Sequence, residues 1–139
     1  MTDVIQQMLA AMNAHDLDAA ANLMHEDYRS EQPAHPSLAF VGRAQMRANW
    51  AAMFAGIPDL QAELCRSVTD GDTAWSEWHW WGTTLDGRPF ESRGVTLFEI
   101  RDGQVVAGRL YMEDVDPEVV SLDDVVEART GLRPQLPPD

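Results

Sequence analysis

Cysteine is almost absent from this sequence, with Cys65 the only one among 139 residues. A single cysteine excludes an internal disulfide and a metal site built from several thiolates. Long apolar runs are missing too, since none reaches the roughly 20 residues that a membrane-spanning helix needs. No charged segment followed by an apolar run opens the chain, so we expect a soluble cytoplasmic protein without a membrane partner.

Positive charge is also scarce, because Lys and Arg total 10 against 23 Asp and Glu, for a formal net charge of −13. Such a field repels nucleic acid and anionic membranes, and we expect neither as a partner. The sequence contains no glycine-rich phosphate loop and no G-x-S-x-G motif. Its four histidines lack paired ligand spacing. We therefore expect no metal and no cofactor.

Three Asp-Gly pairs punctuate the second half of the chain, at Asp70-Gly71, Asp86-Gly87 and Asp102-Gly103. Asp-Gly between runs of β-branched and aromatic residues is a strong hairpin signal, because both turn positions need φ > 0. Four antiparallel strands are therefore predicted, at 60–69, 73–83, 89–101 and 104–113. The strands are long for a small protein, so the sheet should twist strongly and curl around something.

Helical periodicity dominates the first half. Apolar residues at helical spacing predict a helix over 3–13 with Thr2 as its N-cap, and Asp16 is placed to cap a second helix running to Met24. A short strand is expected at 28–32, a third helix at 43–54 and a weak helix at 121–129. We expect one domain over 1–116, followed by a short helix and a proline-rich tail over 117–139.

Side-chain alternation gives each strand two faces. The favoured register turns one apolar set toward the helices: Trp78, Trp80, Phe90, Phe98, Leu110 and Met112. The opposite face collects charged residues together with Trp75, Trp81, Val95 and Leu97. A mixed aromatic and charged face is typical of a subunit interface, so we expect a homodimer. The reverse register, which would bring Arg93, Tyr111 and Glu113 into the interior, is the open alternative.

Several segments carry a family resemblance: residues 10–18, Glu31-Gln32-Pro33, Gly42-Arg43, residues 98–103 and residues 109–113. With this order of elements, the chain resembles the nuclear transport factor 2-like superfamily. That superfamily includes ketosteroid isomerase, limonene epoxide hydrolase and the SnoaL-like polyketide cyclases. The resemblance implies an α+β fold: a cone-shaped, strongly curved antiparallel sheet wrapped around three helices, as in cystatin-like proteins. It specifies function poorly, because this fold hosts many activities.

The catalytic residues of two relatives are not conserved at the matching positions. Ketosteroid isomerase places a tyrosine, an aspartate and a second acid where this chain has Met8, Gln32 and Thr96. Limonene epoxide hydrolase places its charged groups at positions that match Trp78, Trp80 and Leu110 here. The resemblance therefore implies that neither mechanism operates in this protein.

A carboxylate and an imidazole remain near the expected mouth of the cone, where Glu31 and His35 are candidates for general base and acid. Together with Gln32 they are expected to form the polar end of a pocket faced by Trp78 and Trp80. The equally weighted alternative is that both are surface residues, one on a strand and one in a loop. Candidate substrate contacts are Gln32, Trp50, Phe54, Trp78, Trp80, Phe90, Thr96, Leu110 and Met112, although simple core packing explains any one of them. We predict a cofactor-free enzyme that acts on a small apolar molecule by acid–base catalysis. The alternative is a non-catalytic binding or scaffold protein.

Overall fold

Four α-helices and one six-stranded sheet make up the structure, a computed structural model that describes residues 3–138. The helices are α1 (Val4–Ala14), α2 (Leu17–Asn22), α3 (Arg43–Gly56) and α4 (Leu122–Thr130). The strands are β1 (Met24–Glu31), β2 (Phe40–Val41), β3 (Gln61–Asp70), β4 (Thr73–Thr83), β5 (Pro89–Arg101) and β6 (Gln104–Asp114), with a 3₁₀ turn at Pro36–Leu38. The expected α+β class is confirmed. No helix in this part of the chain has both the length and the apolar character to cross a membrane.

The sheet runs in the order β2-β1-β6-β5-β4-β3. Strands β3 to β6 form the predicted antiparallel meander, and each lies within about two residues of its expected bounds. The one parallel pair joins β1 to β6, where Ser30 lies opposite Gly108. Strand β2 then covers the outer edge of β1. The first strand of the chain, β1, is therefore hydrogen-bonded to the last, β6.

The Asp-Gly pairs mark the hairpins, but only one forms the expected turn. Asp102 and Gly103 both have positive φ, 51° and 74°, as a type I′ turn requires. In the first hairpin Asp70 pairs with Thr73, so the two-residue loop is Gly71-Asp72 and only its glycine has positive φ. Gly87 lies in a longer loop between β4 and β5. The Asp-Gly pairs therefore predicted where the hairpin turns lie but did not predict the turn type.

The helix starts follow the sequence signals more closely than the helix ends. Asp3 caps α1 by accepting a hydrogen bond from the Ile5 N–H at 2.9 Å, and Thr2, the expected cap, lies outside the described residues. Asp16 caps α2 as predicted. The extension of α2 to Met24 is wrong, because β1 begins there and α2 ends at Asn22.

The favoured register of the sheet is confirmed. The inner face, defined on β4 by Ala74, Ser76, Trp78 and Trp80, packs against α1 and α3, and Trp78 is only 1% exposed. The outer face carries Arg93, Tyr111 and Glu113, whose side chains are exposed. The reverse register is therefore excluded.

One position on β6 departs from simple alternation. Strict alternation back from Leu110 and Met112 places Val106 on the inner face, but Val105 is the buried residue, at 0% exposure. A β-bulge explains the switch, because the pairing with β5 shifts between Glu99 and Ile100 and leaves one extra residue on β6. Beyond the bulge, Gly108, Leu110 and Met112 lie on the inner face as predicted.

Candidate functional site

A series of aromatic ring contacts runs from the inner face of the sheet to the helices. The Trp78 and Trp80 ring centroids lie 6.3 Å apart on β4, and Trp50 of α3 meets Trp80 edge-on at 6.0 Å. Phe54 lies 5.6 Å from Trp50 and stacks on His15, the C-cap of α1, at 4.5 Å. The structure therefore brings together four of the predicted contact residues, and His15, which the sequence did not single out, extends the series.

Several apolar side chains pack against the core without being fully buried. This set, the apolar rim, comes from α3, β2, β4 and β6: Trp50, Phe40, Trp80, Leu110 and Met112. Phe54 and Phe90 are also partly buried. Side chains with one side in the core and one side accessible are those that a small apolar ligand would contact. Phe40 was missed, because a two-residue strand gives no readable alternation.

Trp78 and Thr96 have the environment of core residues. Each is 1% exposed, and the Trp78 indole N–H donates to the Thr96 hydroxyl oxygen at 3.0 Å. This bond satisfies a buried donor and fixes the indole within the core. Their role as ligand contacts stays a prediction, since the observed interactions are those of packing.

Glu31 lies on the other side of the sheet from the indoles. Along β1, Ser30 points inward and is 3% exposed, so the next residue points outward. Glu31 lines a groove of about 260 Å³ on the outer face together with Arg29, Leu97 and Arg109. The Tyr111 side chain, and more weakly the Glu31 carboxylate, raise the pKa of Arg109 above its ordinary value.

His35 is also directed to the outer side. Its Nε2 lies 2.8 Å from Oε1 of Glu113, and both side chains are about half exposed. Gln32 is partly buried, and its backbone carbonyl accepts from the His35 N–H at 2.7 Å. The expectation that Glu31, Gln32 and His35 form the polar end of an indole-lined pocket is therefore corrected for Glu31 and His35. Catalysis by either group stays a prediction.

The polar side chains buried in the structure are neutral. Among the described residues, the buried polar or charged ones are four hydroxyl residues: Ser30, Ser76, Ser92 and Thr96. Tyr28 adds a phenol at 0% exposure, and burial raises its pKa, an effect that the Ser30 hydroxyl opposes only in part. Within residues 3–138, the Trp80 Nε1 is a buried donor without a hydrogen-bond partner, and the Tyr28 hydroxyl has only its weaker interaction with the Ser30 hydroxyl. Neither feature could be predicted from the sequence, because hydrogen-bond pairing depends on the packing of distant strands.

The outer face carries a network of charged and titratable side chains. His79 Nε2 lies 2.7 Å from Glu91, while His79 Nδ1 lies 3.9 Å from Glu63. Arg93 approaches Glu91 of the same strand at 3.9 Å, whereas the two His79 contacts join neighbouring strands. In the described part of the chain, no group of three or more His, Cys, Asp and Glu side chains is arranged to hold a metal ion.

Comparison with known proteins agrees with the fold described above. The family model of the SnoaL-like domain matches residues 5–108. A Catenulispora acidiphila protein of ketosteroid isomerase-like fold, crystallised with trimethylamine, is 21% identical with a TM-score of 0.68, and the match covers 95% of each chain. No curated protein matches the sequence.

Two structures from Mycobacterium tuberculosis are also similar, each with a TM-score of 0.68. One is an epoxide hydrolase like limonene epoxide hydrolase, 16% identical, with 79% of this chain and 80% of that chain covered. The other, in complex with estradiol-17β-hemisuccinate, is 18% identical, with 78% and 89% covered. At these identities the likeness concerns the fold. The family model spans most of the chain, which therefore belongs to the SnoaL-like domain family.

Proposed function

We propose that this protein binds a small apolar molecule at the apolar rim, between α3 and the inner face of the sheet, without carboxylate-based acid–base catalysis. One observation carries the proposal: the polar side chains buried among the described residues are neutral hydroxyls, while Glu31 and His35 lie on the outer side. A site lined by indole, phenyl and thioether groups favours ligands with little charge. The estradiol skeleton of the compound in the mycobacterial complex is consistent with a flat, mainly apolar ligand, whereas its hemisuccinate group adds a carboxylate.

A second candidate function is catalysis with Tyr28 as proton donor. Its phenol is fully buried, has the Ser30 hydroxyl as its polar neighbour, and has a pKa raised by desolvation. A neutral phenol of this kind is suited to donate a hydrogen bond to a developing oxyanion. The candidate is weaker because, among the described residues, no carboxylate or imidazole is fully buried beside the phenol to act as the base.

A homodimer through the outer face belongs to the same proposal. Trp75 and Trp81 are 50% and 38% exposed there, and Tyr111 is 41% exposed. Large aromatic side chains grouped on one face are costly to leave in water and are enriched at interfaces. Pairing of the outer faces would cover them while leaving the apolar rim on the other side of the sheet accessible.

Titration with the neutral probe N-phenyl-1-naphthylamine, followed by indole and probe fluorescence, tests the binding proposal. We expect saturable binding that Trp50→Ala weakens by about 1–3 kcal/mol, because the substitution removes an aromatic contact. Trp75→Ala is the matched control, since it removes an indole from the outer face and should leave the affinity unchanged. The absence of saturable binding, or equal losses in both variants, would contradict the proposed site.

A further inference from the structure

The two indoles of β4 differ in how their N–H groups are satisfied. Trp78 donates to the Thr96 hydroxyl at 3.0 Å. Trp80, two residues further along the same face, has a buried Nε1 with no acceptor among the described residues. A buried donor without a partner is rare in folded proteins and calls for an explanation. The Trp78 N–H therefore has a structural role, whereas the Trp80 N–H makes no hydrogen bond within the described residues.

The neighbours of Trp80 do not supply an acceptor. Its ring is flanked by two other indoles, Trp50 at 6.0 Å and Trp78 at 6.3 Å, and an indole has no acceptor nitrogen. The cross-strand neighbour on the same face is Ser92, whose hydroxyl donates to the Glu113 carbonyl at 3.2 Å and makes no hydrogen bond with the Trp80 N–H. The unpaired N–H therefore belongs to a residue of the apolar rim, where the proposed ligand binds.

We infer that the Trp80 N–H is the polar anchor of this site and donates to the carbonyl oxygen of an uncharged ligand. The inference rests on the proposed function and adds the class of ligand. Trp80 offers a donor only, so the ligand must bring an acceptor.

The ligand should carry no anionic group, because no cationic side chain is buried among the described residues to pair with one. The buried polar residues among those described are Ser and Thr, and the chain as a whole carries a net charge of −13. A buried carboxylate without a counter-charge would be strongly disfavoured. A ketone or ester on an apolar skeleton meets both conditions.

A matched pair of probes tests the inference. 2-Acetylnaphthalene carries a carbonyl, and 2-isopropenylnaphthalene replaces that oxygen with a methylene of nearly the same shape. The quantity to compare is the ratio of the two dissociation constants, ketone over hydrocarbon, for each variant. We expect Trp80→Phe to raise this ratio about five- to tenfold, the effect of losing one hydrogen bond. Trp50→Phe makes the same chemical change on the neighbouring ring and should leave the ratio unchanged.

A second measurement uses the unmodified protein. In a nitrogen–proton correlation spectrum, the Trp80 indole resonance, identified by its absence in Trp80→Phe, should move downfield with the ketone and not with the hydrocarbon. An unchanged ratio in Trp80→Phe together with an unmoved resonance would overturn the inference, while binding of both probes would leave the proposed function intact. If neither probe binds the wild-type protein, the proposed function fails and the inference fails with it.

Discussion

The hydroxyl of Tyr28 lies in the space that a side chain at Gly108 would need. A Cβ built on Gly108 would fall 2.5 Å from the Tyr28 hydroxyl oxygen and 2.8 Å from the Phe98 ring. Tyr28 extends from β1 across β6 toward β5, and this path is open only because residue 108 is glycine. Tyr28 can therefore occupy this position only while residue 108 is glycine.

Gly108→Ala should lower the free energy of unfolding by about 1–3 kcal/mol, the usual cost of forcing extra volume into a packed interior. Urea denaturation measures this loss. Gly56→Ala serves as the control, since a Cβ there meets nothing within 4 Å and stability should hardly change. Adding Tyr28→Phe to Gly108→Ala should recover part of the loss, because the nearest clash disappears and the Phe98 contact remains. A full loss in the double variant would contradict this account.

The pH dependence of stability should report the burial of Tyr28. Burial raises its pKa above the ordinary tyrosine value of about 10, so the folded state keeps its proton longer than the unfolded state. The stabilisation is fully present below pH about 10 and is lost as the pH rises through the folded-state pKa. We expect the free energy of unfolding to fall more steeply above pH about 10 in the wild type than in Tyr28→Phe. Parallel curves for the two proteins would argue against a buried phenol.

The two indoles of β4 should differ in their contribution to stability. Trp78→Phe leaves the buried Thr96 hydroxyl without its hydrogen-bond partner, whereas Trp80→Phe removes a donor that is unpaired in the protein. Both substitutions remove the same atoms. We therefore expect Trp78→Phe to cost about 1–3 kcal/mol more in urea denaturation. Equal costs would show that the hydrogen bond to Thr96 contributes nothing measurable.

Self-association should depend on the outer face of the sheet. Light scattering at micromolar concentration should give twice the chain mass of 15.5 kDa. Trp75→Glu places a charge on the exposed aromatic face and should yield the monomer. Leu85→Glu, at a loop leucine that is 77% exposed, is the control and should remain dimeric. A wild-type protein that stays monomeric at high concentration would remove the basis for the proposed interface.

The second half of the fold was predictable because its signals are local. Alternation in β4 and β5 gave the inner face correctly, including Trp78 and Phe98. The bulge beside Ile100 was not predictable, since an extra residue on β6 depends on how that strand pairs with β5. Sequence alternation alone therefore assigned Val105 and Val106 to the wrong faces.

The site was less predictable because it depends on the parity of one short strand. β1 has an irregular burial pattern, and its pairing with β6 shifts between Met24 and Arg29, so alternation counted from its start does not reveal which side Glu31 takes. A shift of one residue in the register of β1 would move the Glu31 carboxylate from one face of the sheet to the other. The unpaired N–H of Trp80 depends in turn on three-dimensional neighbours that no local pattern encodes.

The parallel pair of β1 and β6 has a consequence for the order of folding. Strands β3 to β6 meet through short connections and assemble from contacts that are close in sequence, whereas β1 joins a partner that lies most of the chain away. Closing so long a loop costs entropy before any contact compensates it, so we expect docking of β1 after the rate-limiting step. In stopped-flow measurements, Met24→Ala in β1 should then mainly speed unfolding, while Val95→Ala in the central β5 should slow folding.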